Sequence, residues 1–162
     1  MKNKTVLFVC TGNTCRSVMA QALFQKFKED LFPELNYQAD SAGIAASNNT
    51  SPSREAVFCL AKQGIDITTH QPKAVNNQLL KGAIVILTMT QQQLDYLREH
   101  FPWAKHRMYL FRTFCQQMED LKVKEIEDPY GRGLLFYEDT YKKLKKDIKK
   151  LLFYLKKVGN NE

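Results

Sequence analysis

The feature that most constrains this chain is its opening. Thr5-Val6-Leu7-Phe8-Val9 is a short apolar run rich in β-formers, and it stops at Cys10. Such a run reads as a buried strand. Thr11-Gly12-Asn13-Thr14 follows, a turn-prone stretch. From Ser17 to about Glu29, the apolar residues Val18, Met19, Ala22, Leu23 and Phe27 recur at helical spacing. A chain that opens strand, loop, helix needs a sheet for the strand to join and a sheet face for the helix to cover.

The remaining sequence repeats the alternation. Residues 36–41 read as a second strand leading into Ser41-Ala42-Gly43, and Ile44 to Ser53 as a polar surface loop. Ser53 is placed to cap a helix that runs to Gln63 and ends at Gly64. Ala83-Ile84-Val85-Ile86-Leu87 is the clearest buried strand. A helix from about Gln91 to His100 is closed by Pro102, and Met108-Tyr109-Leu110-Phe111 supplies a fourth strand. An acidic turn from Glu125 to Tyr130 precedes a terminal helix. Strands alternating with helices imply an α/β fold, a single-domain three-layer sandwich over residues 1–162 with a parallel sheet covered on both faces. Ligands bind such sheets at the carboxyl ends of the strands, where Cys10 falls.

Composition narrows the function classes. At 162 residues, 44% hydrophobic and 25% charged, the chain suits one globular domain. No apolar run approaches the length of a membrane span. Met1-Lys2-Asn3-Lys4 and the short run behind it lack the apolar length and cleavage site of an export signal, so a cytoplasmic location is expected. The four cysteines, Cys10, Cys15, Cys59 and Cys115, form no Cys-x-x-Cys pair, so no metal is expected. The net charge of +7 resides in residues 141–158, which hold eight lysines and the single acid Asp147. There Tyr141, Leu144, Ile148, Leu151 and Leu155 form an apolar stripe. The expected result is a docked helix with a solvated basic face rather than a nucleic-acid or membrane patch. That face would steer anionic substrates inward.

The chemistry sits in Cys10-Thr11-Gly12-Asn13-Thr14-Cys15-Arg16-Ser17. A Cys-x5-Arg spacing is weak alone; the strand before it and the helix after it give it meaning. A loop curled at a helix N-terminus points backbone N–H groups inward as a nest for an anion. Arg16 adds a planar fork for two phosphate oxygens. The same positive field favours a thiolate at Cys10, placed for in-line attack on phosphorus. Ser17 is placed to hydrogen-bond that thiolate as it leaves in the second step. The leaving group then needs a proton, and water later needs a base. Asp128, on the turn before Pro129, is the candidate for both, with Glu125 and Glu127 expected to crowd it with negative charge.

These residues resemble the low-molecular-weight protein tyrosine phosphatase family. The resemblance rests on Val9-Cys10-x-Gly12-Asn13-x-Cys15-Arg16-Ser17, Asp40-Ser41-Ala42-Gly43, Gly64-Ile65-Asp66 with His70, and Asp128-Pro129-Tyr130. It implies a four-stranded parallel sheet, a phosphocysteine intermediate, phosphorylated proteins as substrates, and neither metal nor other cofactor. It also implies roles: Cys10 as nucleophile, Arg16 as phosphate ligand, and Asp128 as acid and then base. Asn13, Ser17, Ser41 and His70 would hold the loop, and Cys15 would pair reversibly with Cys10 on oxidation. Two departures stand out. The residue after the nucleophile is Thr11 where tyrosine-specific members have an aliphatic one, and Ile44-Ala45-Ala46-Ser47 lacks the aromatic that lines a phenol cleft. The form Cys-Thr-Gly-Asn-Thr-Cys-Arg-Ser resembles the bacterial branch of protein arginine phosphatases. The lean is to phosphoarginine over phosphotyrosine, with Tyr130 free to stack on either group. Arsenate reduction, the alternative enzyme class, needs further cysteines close to the loop.

Overall fold

The computed structural model describes residues 3–116 and 124–159; Met1 and Lys2 of the N-terminal reading lie outside them. Four strands form one parallel sheet: β1 (Lys4–Cys10), β2 (Tyr37–Gly43), β3 (Ala83–Thr88) and β4 (Met108–Leu110), in the order β2-β1-β3-β4. Six α-helices connect and flank them: α1 (Arg16–Leu31), α2 (Arg54–Ala61), α3 (Asn77–Gly82), α4 (Gln91–His100), α5 (Phe111–Gln116) and α6 (Leu134–Gly159).

Alternation along β1 explains the layers. Val6 and Phe8 face one side of the sheet, packing with α1, α2, α5 and α6. Leu7 and Val9 face the other, against Leu80 of α3 and Leu94 and Leu97 of α4. Both sets are buried, as a parallel sheet covered on two faces requires. Phe8 centres the larger core, edge-on to Phe24 at 6.0 Å and to Phe111 at 5.5 Å. Burying a ring of that size contributes about 2–3 kcal/mol.

The expected cap of α2 is present: Ser53 Oγ accepts the Ala56 N–H. Thr90, not singled out in the sequence, forms a capping box with Gln93 at the start of α4. The stripe Tyr141, Leu144, Ile148, Leu151 and Leu155 is buried as expected. Several features differ from the sequence reading. Phe111 leaves the fourth strand and starts α5, where Arg112 Nε meets the buried Asp147 Oδ2 at 3.0 Å. Thus the one acid in the lysine-rich segment is an internal ion-pair partner. Helix α6 starts at Leu134, directly after Gly131 and Gly133, both with positive φ; the unbroken apolar run Leu134–Tyr137 hides its periodicity in the sequence. Helix α3, one and a half turns capped by Asn76, was not expected at all.

Parallel register brings the site together. Cys10 pairs with Gly43, and Val9 with Thr88, so the carboxyl ends of β1, β2 and β3 lie level. The connection after β1 leads to β2 on one side, and the chain then crosses to β3 on the other. The crevice between the departing loops opens above β1 and β3.

Candidate active site

Cys10 ends β1, and the next five residues curl into the first turn of α1. The backbone reversal is made by Asn13, at φ +56°, rather than by Gly12, which is not in the left-handed region. Asn13 is fully buried and saturated. Its Nδ2 donates to Ser17 Oγ at 2.8 Å and Ser41 Oγ at 2.9 Å. Its Oδ1 accepts from His70 Nε2 at 3.0 Å and from the Lys73 N–H at 3.1 Å. The local amide thus stabilises a conformation that an ordinary side chain disfavours.

The sulfur of Cys10 has two hydrogen-bonding neighbours. The Asn13 N–H donates to it at 3.3 Å, and Ser17 Oγ lies at 2.9 Å. Because Ser17 Oγ already accepts from Asn13, its proton is free to point at the sulfur. Asn13 Oδ1 requires a donor from His70, which defines the Nε2–H tautomer. Burial lowers the pKa of His70 and so favours its neutral form, with Lys73 acting in the same direction against the opposing Asn13 bond and Asp40.

The loop is laced to β2 and beyond. The Ile44 N–H donates to the Cys10 carbonyl and the Ala45 N–H to that of Thr11. Gly43 lies so close that an added Cβ would collide with the Thr11 carbonyl oxygen and meet the Asn13 nitrogen at 3.0 Å. Ser41 donates to Gln21 Oε1 at 2.5 Å, and Asp40 pairs with Lys73 at 2.7 Å. The Asp-Ser-Ala-Gly segment is therefore the wall of the loop.

Arg16 is 4% exposed. Its Nη1 donates to the Ile126 carbonyl at 2.9 Å, and its Nη2 lies 3.6 Å from Asp128 Oδ2. Its Nε is buried with no hydrogen-bond partner among the described residues. A buried guanidinium N–H without an acceptor suits an anion in the cleft. The Ile126 N–H donates to the Met89 carbonyl at 2.9 Å, so one residue ties the end of β3, Arg16 and the Asp128 turn together. Asp128 Oδ1 accepts the Tyr130 N–H at 3.1 Å. Cys10, Thr11, Gly12, Thr14, Cys15, Arg16, Asp128 and Tyr130 line one cleft of about 200 Å³. A larger hollow of about 620 Å³ lies elsewhere, between α1, β2 and the 64–70 loop.

Several expectations are refined here. Glu125 and Glu127 line a hollow with Asp128 but have partners of their own: Glu125 accepts the Gln91 N–H and Glu127 pairs with Arg132 at 3.1 Å. The charge facing Asp128 is the cation Arg16. Ser41 and His70 act on Asn13 and stand behind the cleft rather than in it. Cys15 contacts Ser53 Oγ at 3.4 Å and Tyr137 Oη at 3.2 Å. Burial and the Cys15 contact push the Tyr137 phenol up. Cys59 and Cys115 are buried away from the cleft, and burial pushes both thiols up. Among the described residues no cluster of His, Cys, Asp or Glu suits a metal, and no helix is long and apolar enough to cross a membrane. The partners missed from sequence are Gln21, Gln93, Tyr137 and the backbone of Ile126. The N3 Gln of a capping box was the one visible trace of Gln93.

The family model described as low molecular weight phosphotyrosine protein phosphatase matches residues 5–161, and so includes every element around the cleft. The chain belongs to this family. Among curated members of this phosphatase family, the low molecular weight protein-tyrosine-phosphatase Ptp of Acinetobacter johnsonii is 34% identical, over 86% of this chain and 89% of that protein. The protein-arginine-phosphatase of Bacillus subtilis (strain 168) is 30% identical, over 94% and 97%. A solved arginine phosphatase, a mutant carrying a phosphorylated active-site serine, superposes with a TM-score of 0.86 at 29% identity, covering 94% of this chain and 96% of that one.

Proposed function

We propose that this phosphatase-family chain hydrolyses phosphorylated protein side chains through a phosphocysteine intermediate, with phosphoarginine preferred over phosphotyrosine. One observation carries the reading: Cys10 and Arg16, whose buried Nε has no partner among the described residues, line the same small cleft as Asp128.

The steps follow from these groups. Phosphate enters the loop and gives Arg16 the acceptors its Nε lacks. The Cys10 thiolate attacks phosphorus, the bond to the side-chain nitrogen or oxygen breaks, and Asp128 protonates that leaving atom. Asp128 then takes a proton from water, whose oxygen attacks phosphorus and releases phosphate. Ser17, pointing its proton at the sulfur, stabilises the thiolate as it departs. Arg16 and the loop supply the electrostatic stabilisation of the transferring group. Thr11, Gly12, Thr14 and Cys15 shape the cleft, and Tyr130, largely exposed, stacks on the substrate side chain. Reversible pairing of Cys15 with Cys10 belongs to the same reading. The chain acts as one catalytic unit in the cytoplasm, with phosphoproteins as its partners.

The preference rests on the lining. Thr11 and Thr14, two hydroxyl residues, line the cleft, and the 44–47 loop brings no aromatic ring. A guanidinium is flat and polar and gains from hydroxyl neighbours; a phenol gains from apolar ones. The similarity of the Bacillus subtilis arginine phosphatase fits this, while the Acinetobacter johnsonii relative keeps phosphotyrosine as the rival.

The test is hydrolysis of matched phosphoarginine and phosphotyrosine peptides. Cys10→Ser should abolish turnover of both, and Asp128→Ala should lower kcat by about 100-fold or more. Thr11→Ile and Thr14→Ile should each move preference toward phosphotyrosine. Full activity in Cys10→Ser would sink the mechanism; a wild type that strongly prefers phosphotyrosine would sink the preference.

A further inference from the structure

Gln93 is polar, 2% exposed and far from Thr11 in sequence, yet its amide ends at the cleft. Its Oε1 accepts two backbone N–H groups, from Met89 at 3.0 Å and Thr90 at 3.1 Å. Those two donors decide the amide orientation, since the flipped amide would set NH2 against two N–H groups. The Nε2 is therefore held as a donor, and it reaches Thr11 Oγ1 at 3.1 Å. A hydroxyl that accepts from a fixed donor must send its own proton elsewhere. Thr11 cannot reorient through its backbone, whose carbonyl is held by the Ala45 N–H. Thr11 borders two hollows, the 200 Å³ cleft of Cys10 and an adjoining one of about 440 Å³ that Gln93, Thr90 and Arg132 also line.

The geometry points to Gln93 as a positioning residue that sets the polarity of Thr11, so that its hydroxyl donates to an oxygen of the phosphoryl group. This rests on the phosphatase reading above and adds a specific determinant to it. The amide acts at one remove: it touches neither the substrate nor Cys10. It also joins the two sides of the crevice above β1 and β3, because its own helix α4 departs from the end of β3.

Gln93→Glu reverses the arrangement with little change of shape. The carboxylate keeps one oxygen for the two N–H groups and suits the first turn of a helix. Its other oxygen accepts, and so draws the Thr11 proton away from the cleft. The readout is the affinity for inorganic phosphate, followed by NMR titration, with the Gln93 side-chain NH2 resonance as a second signal. Phosphate binding should weaken by about tenfold in Gln93→Glu, and by about twofold at most in a Thr11→Val background. Thr11→Ser should retain wild-type affinity, while Thr11→Val should shift the Gln93 NH2 resonance. Gln93→Asn, one methylene shorter and uncharged, serves if Gln93→Glu does not fold, and should weaken phosphate binding only where Thr11 is present. Equal losses with and without Thr11 would mean that position 93 acts on phosphate directly, and would overturn the inference. So would unchanged affinity in a folded position-93 variant that still carries Thr11. Neither signal requires turnover, so a protein that binds phosphate in this pattern but hydrolyses neither phosphopeptide would refute the function and leave the role of Gln93 standing.

Discussion

Asn13→Ala attacks the support of the loop at one atom group. Four side-chain hydrogen bonds are lost: those to Ser17, Ser41, His70 and Lys73. Each contributes about 1 kcal/mol net, and Ser17 and Ser41 are fully buried, so water does not replace the amide there. Alanine at φ +56° adds about 1 kcal/mol of backbone strain. The expected loss is about 4–5 kcal/mol, a large share of the stability of an ordinary domain. In a chain of this size that lowers Tm by about 10–20 °C. Asn13→Gly tests the parts separately, because glycine accepts positive φ. It should lose the hydrogen-bond share and little else, and so sit somewhat above Asn13→Ala. Urea unfolding at fixed pH with linear extrapolation measures both. A loss under about 1.5 kcal/mol in Asn13→Ala, or Asn13→Gly clearly below Asn13→Ala, would refute the claim that the amide holds this loop.

Three further outcomes are expected. His70 has a folded-state pKa below its ordinary 6.5, so the unfolded chain binds the proton more readily. Its contribution to stability is complete above pH 6.5 and is lost as pH falls through the lower folded value; His70→Gln should flatten that part of the stability–pH curve, and an unchanged curve would refute it. Gly43→Ala drives a Cβ into the Thr11 carbonyl and should cost about 2 kcal/mol or more together with most of the activity, as read by thermal melts and turnover. Iodoacetamide at neutral pH should leave Cys59 and Cys115 of the native protein unlabelled, since burial raises both thiols; rapid native labelling of either, seen by mass spectrometry, would contradict this.

Much of the site was legible because its chemistry is local. Cys10, Asn13, Arg16 and Ser17 lie within eight residues, where one strand end and one helix start dictate the curl. The cap Ser53 and the strand from Ala83 to Leu87, buried except at Ile84, are equally local, written in adjacent side chains. Helix α5 was not legible in this way. Phe111-Arg112-Thr113-Phe114 extends a strand as plausibly as it starts a helix, and what favours the helix is distant: Arg112 on Asp147 and Phe114 against Tyr154.

Sequence alone determined the reaction class, because a thiol, a guanidinium and the loop between them are fixed by covalent proximity. Only the tertiary structure decided what surrounds them. It put Arg16 opposite Asp128, 112 positions along the chain, through one peptide at Ile126. It gave Glu125 and Glu127 partners of their own and brought Gln93 to Thr11. The physical reason is that a buried polar group must find a partner wherever packing offers one, and packing partners in a parallel sheet come from crossovers that bring together residues far apart in the chain.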